Sequence, residues 1–197
     1  GNDLFGIYSN FKITLDPNVD PSVSAYQNGS GINAEHVYPQ SKGAGSEPMR
    51  SDMHNLYPSR VAVNSARGSC KFGNIPDANT DIWYFESIAS GNIPTSNIDA
   101  YSEKDNNSCI FEPRESKKGD IARAVFYFYA IYQAQANNED ANFFASQKDD
   151  LLAWHYADLP GSVEFAGGSA IALGQCNENA FWLCASCALL ALFMVDV

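Results

Sequence analysis

An almost continuous run of apolar side chains at residues 121–132 constrains the fold more than any other part of the chain. The run reads Ile-Ala-Arg-Ala-Val-Phe-Tyr-Phe-Tyr-Ala-Ile-Tyr, so that apolar groups would cover nearly every face of a helix. A helix of this kind has to be buried, and other elements must pack around it. Asp120 stands directly before the run and is a residue type that caps helix N-termini. The segment therefore predicts a buried central helix.

Two later segments also predict helices. Residues 142–158 place Phe143 and Trp154 on an inner side, and Pro160 stops the pattern. Residues 180–195 carry no charge over 16 positions. A membrane-spanning helix needs about 20 apolar residues and flanking Lys or Arg, which this segment does not have. We expect a buried terminal helix here, with a membrane anchor as the less favoured alternative.

The remaining chain predicts short strands and long loops. Residues 4–8 and 11–15 are strand candidates. Residues 76–108 are rich in Asn, Ser, Asp and Gly, which predicts long loops around one short element. A length of 197 residues fits one domain with a sizeable core. We therefore expect a single domain over residues 1–197.

The balance of charge limits how this chain could meet nucleic acid. Twelve Lys and Arg stand against 23 Asp and Glu, which gives a net charge of −11. Such a chain is not expected to bind polyanions tightly through a broad basic surface. Any chemistry on nucleic acid must therefore rest on a small local site with a metal ion.

Five cysteines allow one disulfide to be suggested. Cys70 and Cys109 stand alone in polar surroundings, and they could form a disulfide if the protein leaves the cytoplasm. Cys184 and Cys187 form a single C-x-x-C pair. A structural zinc site needs two such pairs or a Cys and His complement, so we do not expect zinc.

Three short segments concentrate the groups that carry chemistry. They read N-A-E-H-V-Y-P-Q-S at 33–41, S-D-M-H-N-L-Y-P-S at 51–59 and V-N-S-A-R-G at 63–68. Carboxylate and amide oxygens suit Mg²⁺ or Ca²⁺, and a nearby histidine can act as a general base at neutral pH. The segments therefore predict a divalent metal site with an adjacent base.

The spacing of these segments predicts a strand, a loop, a second strand and a short helix. The first strand would close at Pro39, and the second, over residues 52–57, would close at Pro58. Ser59 is a credible N-cap for the helix, which would carry Asn64.

Together the three segments resemble the endonuclease I family of secreted and periplasmic bacterial nucleases. The family patterns are N-x-E-H-V-x-P-x-S, S-D-M-H-N-L-x-P-S and V-N-x-x-R-G, and the resemblance continues in F-E-P at 111–113, in residues 118–127 and in L-L-A-W-H-Y-A-D at 151–158. It covers residues 32–160. It implies an α+β fold with a ββα-metal (His-Me finger) core, additional helices and long loops.

The resemblance implies a role for each of three residues. His36 would be the general base for the attacking water, and Glu35 and Asn64 would be the protein ligands of one Mg²⁺ ion, with Ca²⁺ or Mn²⁺ as alternatives. Neighbouring strand residues face opposite sides. Glu35 and His36 can therefore share a site only at a strand end or a bulge.

An arginine would neutralise the scissile phosphate. Arg67 is the first choice because it stands in the matching V-N-x-x-R-G segment, and Arg123 is the second. Arg50 precedes the D-M-H-N-L segment and is a further candidate. Asp52 and Asn55 are expected to fix the hairpin and not to touch substrate.

The function implied by the resemblance is extracytoplasmic, metal-dependent hydrolysis of DNA without sequence specificity, with RNA left open as a second substrate. We expect a secreted or periplasmic monomer without a protein partner. The tail departs from the family pattern E…R-N-x-x-I…Q-G-N-x-N-P-F, because no Arg follows Glu164 and residues 175–181 read Q-C-N-E-N-A-F. The alternative function is therefore a binding module for nucleic acid or a surface, which keeps this fold without turnover.

Overall fold

A computed structural model describes residues 1–183 and divides them into two compact units. Unit 1 comprises Gly1–Glu35 and Tyr57–Lys117, and unit 2 comprises His36–Leu56 and the chain from Lys118. Neither unit is one continuous stretch of chain. The chain is mixed α+β, as expected, and a single domain over residues 1–197 stays a prediction.

Unit 1 consists mainly of strands. Its elements, of which two reach one residue into unit 2, are β1 (Asp3–Phe5), β2 (Lys12–Thr14), α1 (Pro21–Tyr26), β3 (Ile32–His36), β4 (Leu56–Arg60), α2 (Val61–Arg67), β5 (Lys71–Phe72), β6 (Ile82–Phe85), β7 (Ile88–Ser90), β8 (Ser102–Asp105) and β9 (Ile110–Glu112).

The largest sheet of the described residues has five strands in the order β5-β9-β8-β6-β7. β5 is parallel to β9, and the other pairs are antiparallel, with Trp83 opposite Glu103. Tyr8, Phe111 and Trp83 are buried in this unit, and the ring centroids of Tyr8 and Phe111 lie 4.8 Å apart. Through Tyr8, the segment before β2 is packed into this core.

The prediction of long loops around one element at residues 76–108 is wrong, because this stretch contributes β6, β7 and β8. β8 has the sequence Ser-Glu-Lys-Asp and contains no apolar residue. Its strand conformation comes from pairing with β6 and β9 on either side, a long-range effect that local composition does not show.

β3 and β4 form a separate two-stranded sheet that leads into α2. Val37 N donates to Asn55 O at one end and Val61 N donates to Gly31 O at the other, so the strands run antiparallel. A single 3₁₀ turn (Met53–Asn55) precedes β4, which runs through Pro58. The predicted order of strand, loop, strand and helix is present.

Two details of that prediction are wrong. The second strand does not cover residues 52–57, since it begins at Leu56 after the 3₁₀ turn and continues beyond Pro58. Proline is tolerated there because a two-stranded sheet has edges on which an N–H is not required. Ser59 lies inside β4, and the N-cap position of α2 is Arg60, which makes no side-chain cap.

Unit 2 is helical. It contains α3 (Lys118–Ala145), α4 (Lys148–Ala157), α5 (Ser162–Gln175) and α6 (Ala180–Leu183). The predicted central helix is the first part of α3, in which nearly every side chain is buried, as an all-apolar surface requires. Asp120 lies in its first turn and not at the N-cap. Backbone angles depart from helical values at Tyr132 and Asp140.

The predicted helix at 142–158 is divided between α3 and α4. Gln147 stands at the break and donates through Nε2 to the carbonyl oxygen of Phe143 at 2.8 Å. Of the predicted apolar terminal helix, α6 is the only part within the described residues. Among residues 1–183, no helix is long and apolar enough to cross a membrane.

A disulfide joins Cys70 to Cys109 in unit 1. The two residues are 39 positions apart, and they link the segment before β5 to the segment before β9. Within residues 1–183, Cys176 is the free cysteine, and it is exposed.

We predict that replacing both Cys70 and Cys109 by Ala lowers the free energy of unfolding by about 4 kcal/mol, because the unfolded chain regains the entropy of a loop of this length. Urea unfolding of the variant and of the reduced parent should give matching values, and Cys176→Ser serves as the control. A loss below about 1 kcal/mol in the double variant would contradict the prediction.

Candidate active site

In unit 1, helix α2 directs two of the candidate side chains at strand β3. Asn64 and Arg67 are three residues apart and therefore lie on one face of the helix. Asn64 Nδ2 donates to Asn33 Oδ1 at 2.9 Å and to Ala34 O at 3.1 Å. Both partners are acceptors, which fixes the orientation of the amide. Asn64 Oδ1 is therefore the amide atom that these two contacts leave unused.

Glu35 lies on the same strand and is only 2% exposed. Its Oε1 accepts a hydrogen bond from the Tyr8 hydroxyl at 2.6 Å and lies 3.1 Å from Arg67 Nη1. Burial raises the pKa of Glu35, although Arg67 and Tyr8 act in the opposite direction. Both contacts hold the same oxygen, so the carboxylate has a fixed orientation with Oε2 on the other side.

Arg67 has no exposed surface. Its guanidinium pairs with Glu35 and lies over the ring of Phe72, 4.4 Å from the ring centroid. An exposed phosphate would have to displace these neighbours to reach it. This placement favours a structural role, in which Arg67 balances the buried charge of Glu35, over the expected contact with a scissile phosphate.

The donor atoms of unit 1 fit a hard divalent cation. One carboxylate and one amide oxygen suit Mg²⁺, which keeps several water ligands when a protein offers few of its own. Within residues 1–183, no group of three His, Cys, Asp or Glu side chains could hold a metal ion, so a zinc-type ligand set is not found there. Glu35 and Asn64 are compatible with the metal role expected of them.

In unit 2, the ring of His36 is held by a backbone carbonyl. His36 Nε2 lies 2.9 Å from the carbonyl oxygen of Arg50. A carbonyl oxygen only accepts, so Nε2 carries the hydrogen and Nδ1 of the neutral ring is the acceptor. Gln40 Nε2 lies 3.3 Å from Nδ1 and 3.5 Å from Nε2, beside the ring. Nδ1 is therefore the atom that can take up a proton.

The backbone after His36 is locked by one buried amide. Asn55 O accepts from Val37 N at 3.0 Å, and Asn55 Oδ1 accepts from Tyr38 N at 2.7 Å. The Asn55 amide then donates to Tyr38 O at 3.1 Å. This is the hairpin-fixing role expected of Asn55.

Arg50 is the exposed member of the three arginine candidates. Its carbonyl accepts from His36, so its side chain starts next to the ring. Arg67 and Arg123 are both completely buried. Exposure therefore favours Arg50 as the arginine that meets a phosphate.

A sequence model of the endonuclease I family matches residues 2–183. The chain belongs to the endonuclease I family. It is 32% identical over 138 residues to an extracellular ribonuclease of Bacillus subtilis (strain 168), which covers 64% of this chain and 41% of that protein. It is also 32% identical over 153 residues to an extracellular ribonuclease of Bacillus amyloliquefaciens, covering 70% and 46%. The chain thus spans less than half the length of either relative.

Arg123 is paired with Glu164, the residue that matches the Glu of the family's tail pattern. Arg123 Nε and Nη2 each lie 2.6 Å from an oxygen of Glu164, and Nη1 donates to Asp158 O at 2.6 Å. Asp120 accepts a further bond at 3.0 Å. With no exposed surface and these partners, Arg123 is placed to join α3 to α5, which favours a structural role over the expected contact with substrate.

Sequence analysis did not identify Tyr8 and Gln40 as parts of the site. Tyr8 belongs to a segment that was predicted as a strand, and it carries no motif that marks it as the partner of Glu35. The contact of the Arg50 carbonyl could not be predicted either, because the sequence carries no signal for a backbone atom. Gln40 lies inside a matching segment, four residues after His36, which was the available hint.

We predict that Glu164→Ala lowers the free energy of unfolding by about 3 kcal/mol, because it leaves the buried Arg123 guanidinium without its main partner. The double variant Arg123→Met with Glu164→Leu should recover most of the loss, since it removes both charges. Glu178→Ala, at an exposed position, is the matched control. Equal stability of Glu164→Ala and the control would exclude the ion pair as a structural link.

Proposed function

We propose that this chain is a secreted, metal-dependent nuclease that hydrolyses phosphodiester bonds inside DNA and RNA without sequence preference. Membership of the endonuclease I family and the extracellular ribonucleases among its relatives support the reaction class. The observation that carries the proposal is the 2.9 Å contact of His36 Nε2 with Arg50 O, from which we infer that Nδ1 of the neutral ring is the proton acceptor.

The proposed catalytic unit is a His-Me finger built from β3, β4 and α2. An antiparallel strand pair followed directly by a helix supports this interpretation. β3 carries Glu35 and His36 as its last two residues, and α2 carries Asn64. At the end of a strand the regular alternation of side chains can stop, so that two consecutive side chains can face the same site.

Glu35 and Asn64 are the residues that would hold Mg²⁺. When bound, the ion supplies positive charge to the phosphate and to the departing 3′ oxygen. Tyr8 and Arg67 keep the Glu35 carboxylate in one orientation, and Ala34 and Asn33 do the same for the Asn64 amide.

His36 acts on the attacking water in this mechanism. Nδ1 accepts the water proton while Nε2–H remains bound to the Arg50 carbonyl, so the ring keeps its position as it becomes charged. The exposed side chain of Arg50 balances the charge of the phosphate. Contacts of this kind carry no base information, which is why no sequence preference is expected.

Secretion is supported by the disulfide between Cys70 and Cys109, which persists in oxidising compartments, and by the names of the relatives. A net charge of −11 agrees with a local site and not with a broad basic surface as the source of substrate binding.

We expect the purified protein to cleave plasmid DNA and RNA with Mg²⁺, and to lose both activities in EDTA. His36→Ala should lower cleavage by about 10²–10⁴-fold, because the proton acceptor is removed while folding and metal ligands remain. Gel assays of supercoiled plasmid and of a structureless RNA measure this. If the parent protein binds nucleic acid but does not cleave it, the chain is instead the binding module given above as the alternative function.

The metal ligands should respond differently from the base. Asn64→Ala should raise the Mg²⁺ concentration for half-maximal cleavage and lower the rate, whereas Asn64→Asp keeps an oxygen ligand and should keep metal binding. Glu35→Gln should also raise the Mg²⁺ concentration for half-maximal cleavage. The thermal unfolding of this variant must be measured as well, because Arg67 loses a buried partner. His36→Ala should titrate like the parent. If Asn64→Ala and Glu35→Gln do so too, the metal lies elsewhere.

A further inference from the structure

A buried carboxylate forms the centre of a polar cluster in unit 2. Asp52 is 4% exposed. Its Oδ2 accepts from the hydroxyls of Tyr127 at 2.9 Å and Tyr132 at 2.8 Å, and its Oδ1 accepts from His54 N at 3.0 Å and Gln175 Nε2 at 3.1 Å. We call Asp52, Tyr127, Tyr132, Gln175 and Asn177 the Asp52 cluster. Four donors therefore fix both oxygens of this carboxylate.

The segment 175–177 supplies two members of the cluster, Gln175 and Asn177, which match the family pattern, and it binds the segment around Asp52. Gln175 Oε1 accepts from Met53 N at 2.6 Å, so one side chain binds both Asp52 and the next residue. Asn177 Nδ2 donates to the Tyr127 hydroxyl at 2.9 Å, and Asn177 O lies 3.3 Å from His54 Nε2. Residues 175–177 thus contact the segment 52–54 through side chains and backbone.

The two tyrosine hydroxyls are dependable donors in this cluster. Burial, together with the charge of Asp52, raises the pKa of both Tyr127 and Tyr132 well above the ordinary value. Both hydroxyls therefore stay protonated at any pH at which the protein would work. α3 supplies both tyrosines, so the cluster connects the central helix to the segment 52–54.

The cluster is only two residues from the carbonyl that holds His36. Arg50 O accepts from His36, and Asp52 follows Arg50 after one intervening residue. The other side of this carbonyl is fixed by a turn, in which Arg50 N donates to Ser46 O at 2.9 Å. The peptide unit of this carbonyl is also held by Ser51 N, which donates to Pro48 O at 3.2 Å, and Asp52 anchors the chain directly after it.

We propose, on the basis of the function proposed above, that the Asp52 cluster is a positioning device for the general base. By anchoring Asp52 to α3 and to the tail, it keeps the Arg50 carbonyl at Nε2 of His36 and so selects the tautomer with Nδ1 as acceptor. Gln175 and Tyr132 are positioning residues that act on His36 through Asp52 and Arg50. The segment 175–177 thereby helps to position the base, through a Gln and an Asn that match the family pattern.

Loss of the cluster is expected to change which ring nitrogen of His36 carries the hydrogen. A neutral imidazole whose Nε2–H has lost its acceptor populates the Nδ1–H form as well, and that form cannot take a proton at Nδ1. A misplaced ring also has a less favourable distance to the water, and an error of about 1 Å can cost up to about 100-fold in rate.

Two mild substitutions test the cluster. Tyr132→Phe deletes one hydroxyl and keeps the ring, which packs against Phe128 with 5.1 Å between centroids. Gln175→Ala removes the side-chain amide that binds both Asp52 and Met53, at a half-buried position at the end of α5. The matched controls are Tyr156→Phe, which is 43% exposed, and Leu173→Ala on the same helix, which is 86% exposed.

The first readout does not depend on nuclease activity. Long-range ¹H–¹⁵N spectra at about pH 8.5, where a histidine of ordinary pKa is neutral, report the tautomer of each ring. The His36 signals are assigned by their loss in His36→Ala. We expect the Nε2–H tautomer alone in the parent and both controls, and a mixture in Tyr132→Phe, in Gln175→Ala and, more strongly, in the double variant.

The second readout is steady-state cleavage. Each cluster variant should lower kcat by about tenfold, with KM and the half-maximal Mg²⁺ concentration within about twofold of the parent, since proton transfer alone is impaired. An unchanged tautomer in the double variant overturns the proposal, whatever the rate. So does a shifted tautomer with an unchanged kcat in an active protein. A shifted tautomer in a protein without nuclease activity supports the positioning device while refuting the proposed function.

Discussion

The buried ion pair between Glu35 and Arg67 is the interaction on which the candidate site depends. Both side chains are almost completely removed from solvent, at 2% and 1% exposure. Burial of two charges is costly, and a well-packed apolar pair would often be as stable, so such a pair is weak evidence for a purely structural purpose. It requires α2 to lie against β3, and it orients the Glu35 carboxylate. The ion pair therefore links the packing of α2 on β3 to the orientation of the Glu35 carboxylate.

The ring of His36 is held by a hydrogen bond to a backbone carbonyl. Its Nε2 lies against that carbonyl, while Asn55 fixes the backbone that follows. A carbonyl acceptor selects one tautomer without changing the charge of the surroundings. The charged partner of Glu35 and the neutral partner of His36 give two neighbouring residues different environments, as the proposed metal ligand and the proposed base require.

The sequence predicted those parts of the structure that depend on local pattern. The central helix follows from its apolar run, and the order strand, turn, strand and helix follows from the proline-ended segments around Glu35 and Asn64. β8 was missed because its Ser-Glu-Lys-Asp sequence becomes a strand only between two partners. Tyr8 and the Arg50 carbonyl were missed for the same reason. Each acts through a neighbour that is distant in sequence, and no local signal marks such a contact.

The use of arginine explains how an acidic chain could act on a polyanion. Of only 12 Lys and Arg, two arginines are committed to buried carboxylates, Arg67 to Glu35 and Arg123 to Glu164. These two cannot also form a phosphate-binding surface. In the proposed mechanism, the positive charge at the phosphate therefore comes from the exposed Arg50 and from the bound cation. A net charge of −11 is therefore compatible with the proposed function only if phosphate binds at one local point and not over a broad surface.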